Sequence, residues 1–362
     1  MLNNRLKQTF LVLLRQGLWE RKEVETNLFP LTPDEWTQIY EMAVKQTVQG
    51  IIYDGIQLLP KEQQPPRTLL IRWTIAIDHL ERINRQQNAL LEELPKLFGQ
   101  EPAIPYQVLK GQAIAVFYPN PLHRSCGDID LYFGNEEQTE KANQRIESLG
   151  IPVERGKDGE SNYMLKSVFI EHHAHLIDLH YNKKELQQWE AQRFQQGEQT
   201  LDAVANHLLL STHILKHLIN QGIGLRQLCD AAMALVRLAE QTDKQELEQL
   251  SRQWHIYRWH QLLYALLVKY IGMPEAYLPF PTTVNPDKLM DEVWESGNFG
   301  HGDTRFGNRP EGKWKSKWHT WKIVSNKLHL SAVYAPYETW HWLTGLIGIR
   351  IKELFMPENK KQ

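Results

Sequence analysis

The stretch Ile104–Phe133, IPYQVLKGQAIAVFYPNPLHRSCGDIDLYF, decides the fold. It opens with a short apolar run that ends at Lys110-Gly111 and closes on Gly127-Asp128-Ile129-Asp130-Leu131. In a β-strand successive side chains point to opposite faces, so Asp128 and Asp130 share one face and Ile129 and Leu131 the other. Two carboxylates about 7 Å apart along a strand repel unless a cation lies between them. Hard oxygen ligands suit Mg²⁺ or Mn²⁺. Lys110, Gly111 and Gln112 stand just before a helical run, where backbone N–H groups and an ammonium can meet phosphate. Arg124, four residues before the first aspartate, has two readings: neutralising a triphosphate, or bracing the acidic strand. A phosphate cradle beside a carboxylate pair implies metal-assisted phosphoryl or nucleotidyl transfer.

Outward from this stretch the chain reads as helical on both sides. Leu6–Leu18 is amphipathic. Thr32 caps a helix that begins Pro33-Asp34-Glu35, with acids in the first turn. After Pro65-Pro66, apolar residues recur at helical spacing from Leu69 to about Leu94. Gly99 to Pro105 breaks that helix. Beyond the decisive stretch, Glu136–Leu149 predicts a helix stopped by Gly150. Asn162–Lys166 and Val168–His173 predict two strands joined by a tight turn at Ser167. From Thr200 the pattern is helical again, broken at Gly222-Ile223-Gly224. The expected fold class is α+β, a small mixed-sheet core flanked by helical units. The expected boundaries are 1–99 for an N-terminal helical unit, 100–182 for the core, and 183–362 for a C-terminal helical domain. The last holds a Gly-rich basic loop at 294–317.

Composition narrows the function classes. The chain has 362 residues, 42% hydrophobic and 23% charged, as in ordinary globular proteins. A net charge of −2 lacks the basic excess of a general nucleic-acid binder. Cys126 and Cys229 give no disulfide framework and fit a reducing cytoplasm. The first helix mixes Arg5, Lys7 and Arg15 among its apolar positions, so no secretory leader is read there. No apolar run reaches the ~18 residues needed to span a bilayer. The expectation is a cytoplasmic protein with no membrane partner.

The pattern LKG…YPNPLHRSCGDIDL, from Leu109 to Leu131, resembles the uncharacterised nucleotidyltransferases of the polymerase-β-like superfamily. So do YMLKSVFIEHH at Tyr163–His173, GIGLRQLCD at Gly222–Asp230 and GNFG at Gly297–Gly300. The superfamily usually has Gly-Gly or Gly-Ser at the turn, where this chain has Gly111-Gln112. The resemblance implies transfer of an NMP from an NTP to an acceptor hydroxyl, with release of pyrophosphate. It implies two metal ions held by Asp128, Asp130 and a third carboxylate. For that third acid the resemblance favours Glu171, and so does a hairpin at Ser167 that would carry it to the aspartate strand. Clean alternation around Ile177-Asp178-Leu179 keeps Asp178 as the alternative. Lys110, Gly111, Gln112 and Arg124 are the expected nucleotide contacts. The choice among ATP, CTP, GTP and UTP stays open, as does the acceptor: a sugar, another small hydroxyl compound, or a protein side chain. The turn at Gly111-Gln112 also admits a degenerate protein that binds nucleotide or a partner without turnover.

Several smaller groups carry two readings each. His172, His173, His175 and His180 are dense, but they lack the paired ligand clusters of a zinc site. His173 is read instead as orienting a neighbouring carboxylate. His213, His217, Arg226 and Asp230 form a polar line on otherwise apolar helices and are expected to wall the cleft. Arg226 and Asp230, at i and i+4, also suit a surface ion pair. Trp314, Trp318, Trp321, Trp340 and Trp342 are expected mainly to pack rather than to stack on a base.

Overall fold

A computed structural model describes residues 2–21, 28–156, 159–194, 200–300, 303, 305, 307, 322, 325 and 328–355. Among them the chain is a mixed α+β fold with one five-stranded sheet. Helices α1 (Asn4–Trp19), α2 (Pro33–Lys45), α3 (Gln49–Gln57) and α4 (Arg67–Phe98) come first. The Thr32 hydroxyl caps α2 and Glu35 reaches back to the Thr32 N–H, which completes a capping box. Strand β1 (Gln107–Leu109), the short helix α5 (Gly111–Ala115), strand β2 (Ile129–Tyr132) and helix α6 (Glu136–Glu147) follow. Then come β3 (Glu154–Arg155), β4 (Ser161–Leu165) and β5 (Val168–His173). Lys166 and Ser167 both take positive φ, 48° and 65°, which makes the β4–β5 connection a tight hairpin turn.

The strand order is β1-β2-β5-β4-β3. β1 runs antiparallel to β2, β5 runs parallel to β2, and the β4–β5 hairpin extends the sheet. The register places Asp130 beside Glu171 and Tyr132 beside His173. Alternation then sorts the two faces. Ile129, Leu131, Val168 and Ile170 join Leu90, Leu94, Phe98 and Ile146 in one core between the sheet, the end of α4, and α6. Asp130, Glu171 and His173 point the other way.

That second face is covered by helices α8 (Ala203–Asn220) and α9 (Leu225–Arg237), which follow α7 (Lys183–Arg193). Further on lie α10 (Lys244–Gln253), α11 (Tyr257–Leu266), α12 (Asp287–Ser296) and a terminal helix Pro336–Phe355. The helices before and after the sheet share one continuous apolar core, from Leu6, Phe10 and Trp36 through Leu215, Trp259 and Val293. Polar ties cross it: Trp19 Nε1 donates to the Ile271 carbonyl, and the Gln46 side chain bonds both the Val293 carbonyl and the Leu225 N–H.

Trp294, expected at the start of a loop, lies inside α12 and meets Phe10 edge-on at 5.5 Å. Asn298–Gly300 makes a short 3₁₀ turn. Most of the expected loop beyond it lies outside the described residues, as do Trp314, Trp318 and Trp321. Trp342 is buried and donates to Asn220, whereas Trp340 is exposed. No helix among the described residues is long and apolar enough to cross a membrane.

Candidate active site

The site begins with the positions of β2 and β5. Parallel pairing sets Asp130 and Glu171 side by side, and His173, two residues on, shares their face. One ligand atom from each of Asp130, Glu171 and His173 lies within 4.8 Å of the others. Asp130 is buried, and three groups crowd it. His173 Nε2 donates to Asp130 Oδ1 at 2.7 Å, and Lys110 Nζ stands 3.1 Å from the same oxygen. The Glu171 carboxylate is 3.7 Å from His173 Nε2. His173 thus makes its close bond to Asp130 rather than to the acid nearer in sequence.

The electrostatics of the three acids differ. Burial works against the Asp130 charge, but Lys110 and His173 more than offset it and hold the carboxyl below its usual range. Asp128 goes the other way, pushed up by burial and by the Asp130 charge. Burial likewise raises Glu171, and Asp130 adds to the shift. Two of the three carboxylates therefore meet less positive charge than they need. A divalent cation relieves that condition, and the cluster of Asp130, Glu171 and His173 is compatible with one.

Lys110, Gly111 and Gln112 form the bend from β1 into α5. Lys110 has φ 43° and Gly111 has φ 32°. A Cβ on Gly111 would stand 3.3 Å from the Asp128 carbonyl, so the bend presses close against the loop that carries the aspartates. The Lys110 ammonium is buried against Asp130, with Asp178 and Glu171 adding attraction. The Gln112 side chain turns inward. Its amide donates to Asn84 Oδ1 at 3.2 Å and Gln87 Oε1 at 2.8 Å. Asn84 in turn donates to the carbonyls of Leu122 and Arg124, and Gln87 to that of Gly127. This buried amide cluster ties α4 to both halves of the site, the α5 bend and the loop before Asp128. It was missed in the sequence. The available signal was two amides, Asn84 and Gln87, standing on the apolar stripe of α4 between Leu80 and Leu90.

Arg124 braces. Its guanidinium forks onto Asp230, Nε to Oδ1 at 2.9 Å and Nη2 to Oδ2 at 2.6 Å. Tyr118 donates its hydroxyl to the same carboxylate at 2.6 Å. Asp230 therefore pairs with Arg124 rather than with Arg226, which donates instead to the Ser125 carbonyl. Arg124, Arg226 and Asp230 line one cavity of about 230 Å³ that also takes in Asp128, Asp130, Glu171, His213 and His217. The polar line of α8 and α9 is one of its walls.

Asp178 lies past β5. It accepts from His213 Nδ1 at 3.1 Å and from Lys216 at 2.8 Å. Those two partners hold its carboxyl well below the usual range against the effect of burial. Burial pushes His213 down to about 4, so its imidazole is neutral at pH 7. With Nδ1–H committed to Asp178, its Nε2 accepts from His217 Nε2 at 3.0 Å. Lys216 and Glu160, which sequence reasoning also missed, line the cavity beside it. The dense histidines each keep a separate partner, although His173, His175 and His180 line one further cavity. His172 is on the opposite face between Asn143 and Tyr163, His175 stands between Glu136 and Glu190, and His180 bonds Glu338.

The two glycine motifs meet each other. A Cβ on Gly224 would lie 2.9 Å from Asn298 Cα, and one on Gly222 would lie 2.6 Å from the Ser296 side chain. GIG and GNFG are thus apposed backbones beside the N-terminus of α9, which carries Arg226 and Asp230.

Comparison with known proteins finds no match among curated proteins and none among solved structures. A family model described as "Uncharacterised nucleotidyltransferase" matches residues 32–272, which take in the sheet, the amide cluster and both helices of the cavity wall. That span is most of the chain, and the protein belongs to the uncharacterised nucleotidyltransferase family.

Proposed function

We propose that this protein moves a nucleoside monophosphate from an NTP to the hydroxyl of an acceptor and releases pyrophosphate. The observation that carries the reading is the register of β2 and β5, which sets Asp130 and Glu171 side by side on the cavity face. Asp128, Asp130 and Glu171 would hold Mg²⁺ or Mn²⁺. Bound there, the metal supplies Lewis acidity toward phosphate oxygens and a lowered pKa for a coordinated hydroxyl.

The chain's own residues do the rest. His173 fixes the Asp130 carboxylate through its Nε2–H. Glu171, raised by burial, is the acid suited to take the proton from the acceptor hydroxyl. The acceptor oxygen forms the new bond to the α-phosphorus, and the bond from that phosphorus to the bridging oxygen of pyrophosphate breaks. Lys110, Gly111 and Arg226, which line the cavity, would meet phosphate charge, with the Gln112 backbone beside them. Arg124 acts through Asp230 by holding the cavity wall.

A second reading has its own support. Lys110 already lies 3.1 Å from Asp130, and the Gln112 side chain is turned away from the cavity. A chain that binds nucleotide without turnover would keep both features. A thermal-shift panel of the four NTPs, each with and without Mg²⁺, tests the first reading. The expected result is stabilisation by at least one NTP only when metal is present, by roughly 3 kcal/mol near 100-fold ligand excess over Kd. No stabilisation under any condition would count against a nucleotide site altogether. Metal-independent stabilisation would favour the silent binder.

A further inference from the structure

A second cavity, of about 310 Å³, opens beside the first. The two share Glu160, His173 and Lys216 as a common wall, so His173 faces Asp130 on one side and the second cavity on the other. Its floor is apolar, made by Ile177, Leu179 and Leu186, all buried. Its lining carries four acids, Glu136, Glu160, Asp178 and Glu190, against Lys183 and Lys216, with His173, His175 and His180 among them.

The commitments of those acids set what the cavity accepts. Asp178 is neutralised by Lys216 and accepts a hydrogen bond from the neutral His213. Glu190 Oε1 takes the N–H groups of Leu176 and Ile177, and its Oε2 stands 3.6 Å from His175. Glu136 and Glu160 have only longer contacts, 3.7 Å to His175 and 3.4 Å to Lys216. Their negative potential falls on whatever enters. Such a lining repels phosphate and favours a positive group. The volume suits a compound of about monosaccharide size.

We propose that this second cavity is the acceptor subsite, and that it takes a small hydroxyl compound bearing an amine, with the reacting hydroxyl directed past His173 toward Glu171. The inference rests on the transferase reading of the first cavity. It excludes polyanionic acceptors such as nucleic acid or sugar phosphates.

The test uses the full-length protein with Mg²⁺ and three probes: glucosamine, glucose and glucose 6-phosphate, each followed by ligand-observed NMR. The variant is Gln187→Trp. Gln187 lines the second cavity from the exposed side of α7, so a bulky ring there fills the space without entering the core. Glucosamine is expected to bind more tightly than glucose, and glucose 6-phosphate more weakly than glucosamine by roughly tenfold or more. Gln187→Trp is expected to remove glucosamine binding while calorimetric titration of Mg²⁺–NTP stays at the wild-type value. Equal or tighter binding of glucose 6-phosphate overturns the proposal. So does glucosamine binding that survives Gln187→Trp, and so does no binding by any probe. Loss of Mg²⁺–NTP binding in the wild type, with glucosamine binding intact, would strike the reading of the first cavity and leave the ligand class of the second standing.

Discussion

Arg124 and Asp230 are both buried, and each is the other's charge partner. Removing one partner leaves the other uncompensated, so Arg124→Met should destabilise the fold by about 3–5 kcal/mol. Adding Asp230→Leu to that variant should recover much of the loss, because the orphaned charge goes too. Urea denaturation of wild type, both singles and the double checks the cycle. The amide cluster gives a second expectation. Asn84→Leu strips the donor from the carbonyls of Leu122 and Arg124 and should destabilise by about 2 kcal/mol. It should also weaken metal binding, because those carbonyls lie in the loop that carries Asp128; titration of Mn²⁺ into the variant reads that out. Asp128 and Asp130 were legible in the sequence because strand alternation puts both on one face. Asn84 and Gln87 were not singled out. On a helical stripe an amide is ordinarily a solvent-facing residue, and only the carbonyls of a loop some forty residues away along the chain give it partners.

Among the elements, β4 and β5 followed the sequence closely, with the turn where Ser167 placed it. The alternation Val168, Ile170, His172 against Phe169, Glu171, His173 carries that information locally. The parallel pairing of β5 with β2 does not, since it depends on α6 and β3 lying between them in the chain. Helix α12 was hidden by the prolines before it and the glycines after it, although Leu289, Met290 and Val293 share its buried face. The glycines of the Gly222–Gly224 and Gly297–Gly300 turns face each other. Their function in the fold is close packing, because no side chain fits between the two backbones. Gly224→Ala must push Asn298 away from a 2.9 Å approach. The expected cost is about 1–3 kcal/mol, measured by denaturation, with the displacement read from chemical shifts at Asn298.

For the molecule as a whole, the helices on either side of the sheet fold against each other, so acid sensitivity is a property of the whole fold. His207 and His260 are buried in that shared region and bond hydroxyls, His207 to Thr242 and His260 to Ser251 and Ser211. Burial pushes His207 down to about 4 and His260 to about 3. Below about pH 6.5 the unfolded chain takes up protons that these folded imidazoles refuse. Stability should therefore fall as pH drops from about 6.5 toward 4, by roughly 1 kcal/mol per pH unit for each fully buried group. Denaturation at about pH 7.5 and about pH 5 measures the slope, and His207→Leu should flatten it.

The proposal that Asp130 and Glu171, set side by side by β2 and β5, hold a metal for nucleotide transfer with Asp128 in the same cavity is tested most directly by calorimetric titration of Mn²⁺ and NTP into wild type and Asp130→Asn. The variant keeps the shape of the side chain and loses its charge. The expected result is metal-dependent NTP binding by the wild type and at least a roughly hundredfold loss in Asp130→Asn, with both proteins folded by circular dichroism. Equal affinity in the two proteins would contradict the claim.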